Sequence, residues 1–217
     1  MSMSFVSYIL NGISLGSVYA IIALGYTMVY GIAKMLNFAH GDIIMVGSYV
    51  AFIAINSMGL PVPVSILLSV VVCTVLGMVI ERVAYKPLRH ASKLAVLITA
   101  IGASYFLQNV ALLIFGANTK SFTSIVGNGS VQLAGGALSV TMVTIVTVIA
   151  CVVIMIGLMA FMKYSKAGHA MLAVSEDDGA AQLMGINVNA TIALTFAIGS
   201  GLAAIAGVLL CSAYPSL

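Results

Sequence analysis

Charge is almost absent from this chain: eight basic and five acidic side chains are spread over 217 residues. A soluble domain carries about 25% charged residues, and the 6% present here cannot cover a water-facing surface. Hydrophobic residues make up 62% of the sequence, with a mean hydropathy of +1.21. Such a chain belongs in lipid, where every crossing segment must satisfy its own backbone N–H and C=O groups. The alternating pattern of barrel strands is not visible. The expectation is therefore an all-α fold, a polytopic transmembrane helical bundle with one domain over residues 1–217.

Windows of about 20 apolar residues give six candidate spans: Tyr8–Tyr30, Ile43–Met58, Val62–Ile80, Leu94–Phe115, Val140–Met162 and Thr191–Tyr214. The second is short and interrupted by glycine. Lys and Arg orient the spans, because cytoplasmic loops collect them. The linker 81–93 carries Arg82, Lys86, Arg89 and Lys93 and is expected in the cytoplasm. The linker 116–139 has only Lys120 and is expected outside, and the linker 163–189 returns to the cytoplasm. Counting back puts the N-terminus outside. The opening MSMSFVSYIL lacks the positive region of a signal peptide, so the first span is expected to direct insertion.

Between the first two spans, GIAKMLNFAHGD (31–42) gathers Lys34, Asn37, His40 and Asp42. It reads either as a plain loop or as a helix break at membrane depth, the device that places freed backbone groups at transporter sites. Asn37, His40 and Asp42 accordingly either line a pathway or form a polar interfacial turn in which Asp42 caps the next helix. Gln108 and Asn109 interrupt the fourth span and either bond a neighbouring helix or line the same passage. Tyr26 and Tyr30 read as interface anchors, and Glu81-Arg82 as a membrane-boundary anchor or an internal ion pair. Gly12-x-x-x-Gly16 and the series Gly199, Ala203, Gly207 suggest close helix packing. Asn128-Gly129 within Ser124–Leu133 is a hairpin signal, and Asn128-Gly129-Ser130 matches a glycosylation sequon. Cys73, Cys151 and Cys211 lie inside apolar segments as small filler; no metal-ligand spacing, cofactor motif or basic nucleic-acid patch appears.

The remaining polar stretch, Lys163–Ile186, holds five of the thirteen charges. Ser175 is placed to cap a helix over Glu176–Met184, with Asp178 completing a capping box. Glu176, Asp177 and Asp178 suit the positive end of its macrodipole, and Gly185 marks its stop. Nine residues make a helix roughly 13 Å long. It reads as a coupling helix for a cytoplasmic partner or as a simple connector.

The opening NGISLGSVYAIIALGYTMVYGIAKMLNFAHGD, the linker IERVAYKP, the segment ITAIGASYFLQN and the run SEDDGAAQLMGINVNATIALTFAIGSGLAAIAGVLL together resemble one family. It is the permease subunit of branched-chain amino acid ABC importers, the LivH kind, and the resemblance covers essentially the whole chain. It implies a multi-pass subunit of the inner membrane that works with a homologous second permease, two cytoplasmic ATPases and an external solute-binding protein. It also implies that Gly168, Glu176, Asp177, Ala181, Gly185 and Ile186 form the ATPase-coupling loop. His169 and Leu172 stand where relatives often carry arginine, so coupling is expected to depend more on shape than on charge. The family continues through further hydrophobic segments beyond Tyr214-Pro215-Ser216-Leu217, which suggests a fragment or truncated form.

No GxxxxGK[ST] phosphate loop occurs in the chain, so ATP hydrolysis is assigned to partner chains and the subunit is not expected to be an enzyme. The substrates implied are leucine, isoleucine and valine. The alternatives are an ABC permease for urea or short amides, or a secondary carrier working without ATPases. A membrane-embedded enzyme would need a nucleophile or metal-ligand set beside His40 and Asp42.

Overall fold

The computed structural model of the protein describes residues 2–89, 91–122, 129–133 and 138–214. Helix α1 (Ser2–Ala33) is followed by α2 (His40–Asn56) and α3 (Val62–Ile80). A π-helical turn, Glu81–Tyr85, and a short 3-10 turn, Lys86–Leu88, extend α3 toward α4 (Lys93–Phe115). Strands β1 (Ser130–Leu133) and β2 (Leu138–Thr141) pair antiparallel. Then come α5 (Met142–Tyr164), α6 (Lys166–Glu176), α7 (Asp178–Leu183) and α8 (Val188–Ala213). Five helices are long and apolar enough to cross a membrane, and α2 is a shorter apolar sixth. The chain is thus a multi-pass membrane protein built as a helical bundle of about six spans.

Local chemistry sets most boundaries. Pro61 and Pro63 open α3, where a missing N–H costs nothing. Ser92 caps α4 by accepting a hydrogen bond from the Ala95 N–H, and Gly116, at φ 80, ends it. Thr141 caps α5, so that helix begins at Met142, and Val140, expected as its first residue, belongs to β2. The hairpin also differs from expectation. Its strands are joined through residues 134–137, and Gly129 lies at its base, accepting from the Met142 N–H at 2.9 Å. Residues 124–128, including the Asn128 of the sequon, lie outside the described residues.

The bundle is organised around α8, in which seventeen of 26 residues are buried. It packs against α1, α2 and α3 along its length. Small side chains make this possible, since lipid tails offer helices no hydrophobic drive to associate and close van der Waals contact must replace it. A Cβ on Gly207 would fall 2.5 Å from the Ile44 carbonyl oxygen. One on Gly47 would fall 2.8 Å from Ala204 Cα, and one on Gly77 would fall 1.9 Å from Ser200 Oγ. The Gly199–Ala203–Gly207 series therefore packs inside its own bundle. Gly12 and Gly16 have nothing within 4 Å of such a carbon, so the expected tight contact there is absent within the described residues. Two buried bonds reinforce the α2–α3 seam: Ser69 Oγ donates to the Gly47 carbonyl at 2.7 Å, and Cys73 Sγ approaches the Ile43 carbonyl at 3.5 Å. Helix α5 is peripheral. It buries only Val143, Thr144 and Thr147 and turns Ile149, Val153, Ile156 and Met159 outward, as lipid contact requires.

Gly→Ala in a helix interior ordinarily favours the helix by up to about 1 kcal/mol. At Gly207 the sign reverses, because overpacking costs about 1–3 kcal/mol. Gly207→Ala is expected to lower the unfolding midpoint in detergent, while Gly16→Ala holds or raises it.

Candidate functional site

Two polar regions stand out, one inside the bundle and one at the end where α5 gives way to α6 and α7. The first begins where α1 stops. Lys34 takes φ 55, a conformation that ends the helix, and residues 35–39 run back into the bundle without regular structure. Buried Asn37 and the Leu36 carbonyl both accept from the Tyr85 hydroxyl, at 3.1 and 3.3 Å. His40 then opens α2 edge-on to Tyr26, with ring centroids 5.9 Å apart. Tyr26 is thus a packing partner of His40 as well as a residue near the end of the span.

The depth of this start is informative. A Cβ on Gly25 would meet both His40 Cε1 at 3.1 Å and the Gly199 carbonyl oxygen at 3.0 Å. Gly199 lies about 16 Å along α8 from its first residue, at 1.5 Å per residue. So α2 starts well inside the bundle. Residues 34–39 thus carry the chain from the end of α1 back into the bundle, where α2 begins.

Asp42 sits in the first turn of α2, where the helix macrodipole favours its negative charge. Its Oδ1 accepts from Gln108 Nε2 at 3.0 Å, and the same amide reaches Ser104 Oγ at 3.1 Å. Gln108 thereby ties α4 to α2. Asn109 does not join this group: it is exposed and donates to the Tyr105 carbonyl on its own helix at 2.7 Å. Asp42 Oδ2 and His40 Nε2 are buried without a hydrogen-bond partner among the described residues. Buried polar atoms left open are costly, and ionisable groups kept in membrane bundles usually face a pathway or cavity.

In the second region, Ser165 joins α5 to α6. Its N–H closes α5 on the Phe161 carbonyl, and its Oγ accepts from the Gly168 N–H at 2.8 Å. Gly168 is buried in this corner, where a Cβ would lie 2.4 Å from the Phe161 carbonyl oxygen. The expected helix over Glu176–Met184 is instead divided at Asp177. Asp177 has extended backbone, and its Oδ1 accepts from the Ala180 N–H at 2.9 Å, making it the cap of α7. Ser175 bonds back to the Leu172 carbonyl within α6 and caps nothing. Gly185 ends the segment as expected, at φ 86. Its N–H reaches the Gln182 carbonyl while the Ile186 N–H reaches the Ala181 carbonyl, both at 3.0 Å, which is a Schellman closure.

This closure decides which side chains are available. Ala181 is 4% exposed and turned toward the bundle, whereas Leu183 and Met184 are 90% and 83% exposed. Glu176, Asp177 and Gly185 are exposed and Ile186 is half-buried.

Residues 8–216 match a family described as the permease component of branched-chain amino acid transport systems. The chain belongs to that permease family. It is 43% identical over 217 residues to the high-affinity branched-chain amino acid transport system permease protein LivH of Escherichia coli. It is 45% identical over 218 residues to the corresponding permease protein BraD of Pseudomonas aeruginosa. Both alignments cover 95% of this chain and 70% of the relative. A probable LivH of Methanocaldococcus jannaschii is 30% identical over 197 residues. No solved structure matches this permease.

Several working residues of the permease escaped the sequence reading. Glu81 pairs with Arg89 across the π-helical turn, not with Arg82, and both partners are largely buried. The turn keeps Glu81 and Tyr85 on the inner face while Arg82 and Val83 face out. Arg89 also donates to Asn189 near the start of α8. A spacing of eight residues spread over two irregular turns carries no periodic signal. The caps Ser165 and Asp177 were legible in principle, since each sits three residues before the N–H it accepts.

Removing one member of a buried ion pair leaves the other uncompensated, at about 3–5 kcal/mol. Arg89→Met is therefore expected to destabilise the permease strongly in detergent denaturation, and Glu81→Met/Arg89→Met to recover most of the loss.

Proposed function

We propose that this chain is the permease subunit of an ATP-binding-cassette importer that carries leucine, isoleucine and valine across the inner membrane. Its partners are a homologous second permease, two cytoplasmic ATPases and an external solute-binding protein. The observation that carries this reading is the similarity to named branched-chain amino acid permeases over 95% of the chain. The capped cytoplasmic segment supports it. A rigid short helix that presents Leu183 and Met184 to water suits insertion into an apolar groove of a soluble partner, because exposed apolar clusters mark interaction sites.

Energy enters from outside the chain. ATP binding closes the partner ATPases, the α6–α7 segment follows them, and the fixed Ser165–Gly168 corner passes that motion to α5 while Asn187, capping α8, passes it to the central helix. The subunit itself catalyses no hydrolysis. Within the bundle, Asn37, His40, Asp42 and Gln108 form the polar side of the pathway. The open Asp42 oxygen and the His40 ring suit passing ammonium and carboxylate groups, and the apolar surroundings suit the side chain. Asn109 takes no part in this cluster.

The coupling loop is assigned two kinds of residue. Leu183 and Met184 meet the ATPase, whereas Gly168, Ala181, Gly185 and Ile186 hold the loop in shape. Leu183→Glu is expected to weaken ATPase association by about 2 kcal/mol, roughly thirtyfold, with membrane insertion unchanged. Co-purification at wild-type yield would refute the docking role. Asp42→Asn should slow leucine uptake while ATPase association holds. Uptake of urea but not leucine by the complete reconstituted system would overturn the substrate assignment.

A further inference from the structure

A cavity of about 570 Å³ opens where the ends of α1 and α4 face the α6–α7 junction. Its size lies within the usual range for small-molecule sites, about 300–1,000 Å³. Its apolar wall is built from buried Ile32, Val96, Val174 and Ile192, with exposed Tyr30 beside them. Its rim carries both signs of charge: Lys34 just past the end of α1, Lys93 from α4, and Glu176 and Asp178 from the docking segment. Two other charged lining residues are already engaged. Arg89 is bound to Glu81 and Asn189, and Asp177 holds the Ala180 N–H. Among the described residues, Lys34, Lys93, Glu176 and Asp178 take part in no ion pair.

This combination selects among ligands. A phosphate or nucleotide would find the lysines but also meet two carboxylates of its own sign. A fatty acid would fill the apolar wall and leave the carboxylates beside its own. An α-amino acid with an apolar side chain answers every wall: its carboxylate to Lys34 and Lys93, its ammonium to Glu176 and Asp178, its side chain to the Tyr30–Val174 surface. Lys93 also opens α4, whose N-terminal end adds partial positive charge on the carboxylate side.

We propose that this cleft is a cytoplasmic binding site for the free branched-chain amino acid, separate from the pathway cluster at Asp42, and that filling it slows import. The inference rests on the transport reading above. A ligand held between α1, α4 and the α6–α7 junction braces the docking segment against the spans. The segment then cannot follow the ATPases, so accumulated product limits its own uptake.

The test uses the complete importer, with full-length permease, ATPases and binding protein, in proteoliposomes loaded with ATP. Uptake of labelled isoleucine is compared with and without leucine trapped inside. Internal leucine is expected to lower the maximal rate by about fivefold, within the usual range of coupling between sites, and to leave the KM for external substrate unchanged. Lys34→Gln and Lys93→Gln should import normally into leucine-free vesicles and escape the inhibition. Binding of labelled leucine to the detergent-solubilised permease–ATPase complex, without the binding protein, should weaken in the same two variants. Brisk uptake that ignores internal leucine would overturn the site, as would equal inhibition in wild type and variants, which would mean leucine re-entering the pathway. Failure to import isoleucine into leucine-free vesicles would instead sink the substrate reading, and this site with it.

Discussion

Everything in this permease depends on how closely three helices can approach α8. Lipid provides no hydrophobic gain when one apolar helix meets another, so contact distance decides whether the bundle holds. Gly47, Gly77, Gly199 and Gly207 remove the carbons that would separate the backbones. Once α1, α2 and α3 are seated, Ser69, Ser48 and Ser200 lie buried against neighbouring backbone with no lipid to face. The polar interior is thus a consequence of the small-residue seam. A bundle spaced by leucines would leave those hydroxyls in hydrocarbon.

The same seam explains why α2 can start inside the bundle. Freed backbone groups at membrane depth are tolerated only where protein or a cavity surrounds them. Tyr85 supplies the donor for the Leu36 carbonyl, and Asn37 takes a share of the same hydroxyl. Tyr85 in turn rests on Phe196 of α8, with ring centroids 5.2 Å apart. The break, the π-helical turn and the central helix therefore form one unit. The Glu81–Arg89–Asn189 contacts tie that unit to the start of α8, which follows the α6–α7 segment.

What could be read from residues alone follows from what has a period. Long apolar runs specify spans, and the positions of α3, α4 and α8 agree with expectation to within a few residues. Glycine at a helix end is similarly direct, and Gly185 behaves as its context demands. Caps are weaker signals: Ser175 and Asp177 both have capping chemistry, and only the backbone turn at Asp177 decides between them. Pairings across irregular turns leave no trace in a periodicity, so Glu81–Arg89 and Tyr85–Asn37 could not be anticipated. Whether a small-residue face finds a partner is also invisible locally. The Gly199 series and Gly12-x-x-x-Gly16 look alike in sequence, yet only the first is covered by the helices described here.

The central position of α8 has a consequence for biogenesis. The chain is made from its N-terminus, so α1, α2 and α3 enter the membrane before the helix that gives them their packing surface. Until α8 arrives, the glycine notches at Gly47 and Gly77 face nothing that fits them, and the break at 34–39 has no Phe196-backed support. Helix α2, short and carrying His40 and Asp42 in its first turn, is poorly suited to remain in lipid by itself. The early helices therefore gain their packing surface only when α8 enters beside them.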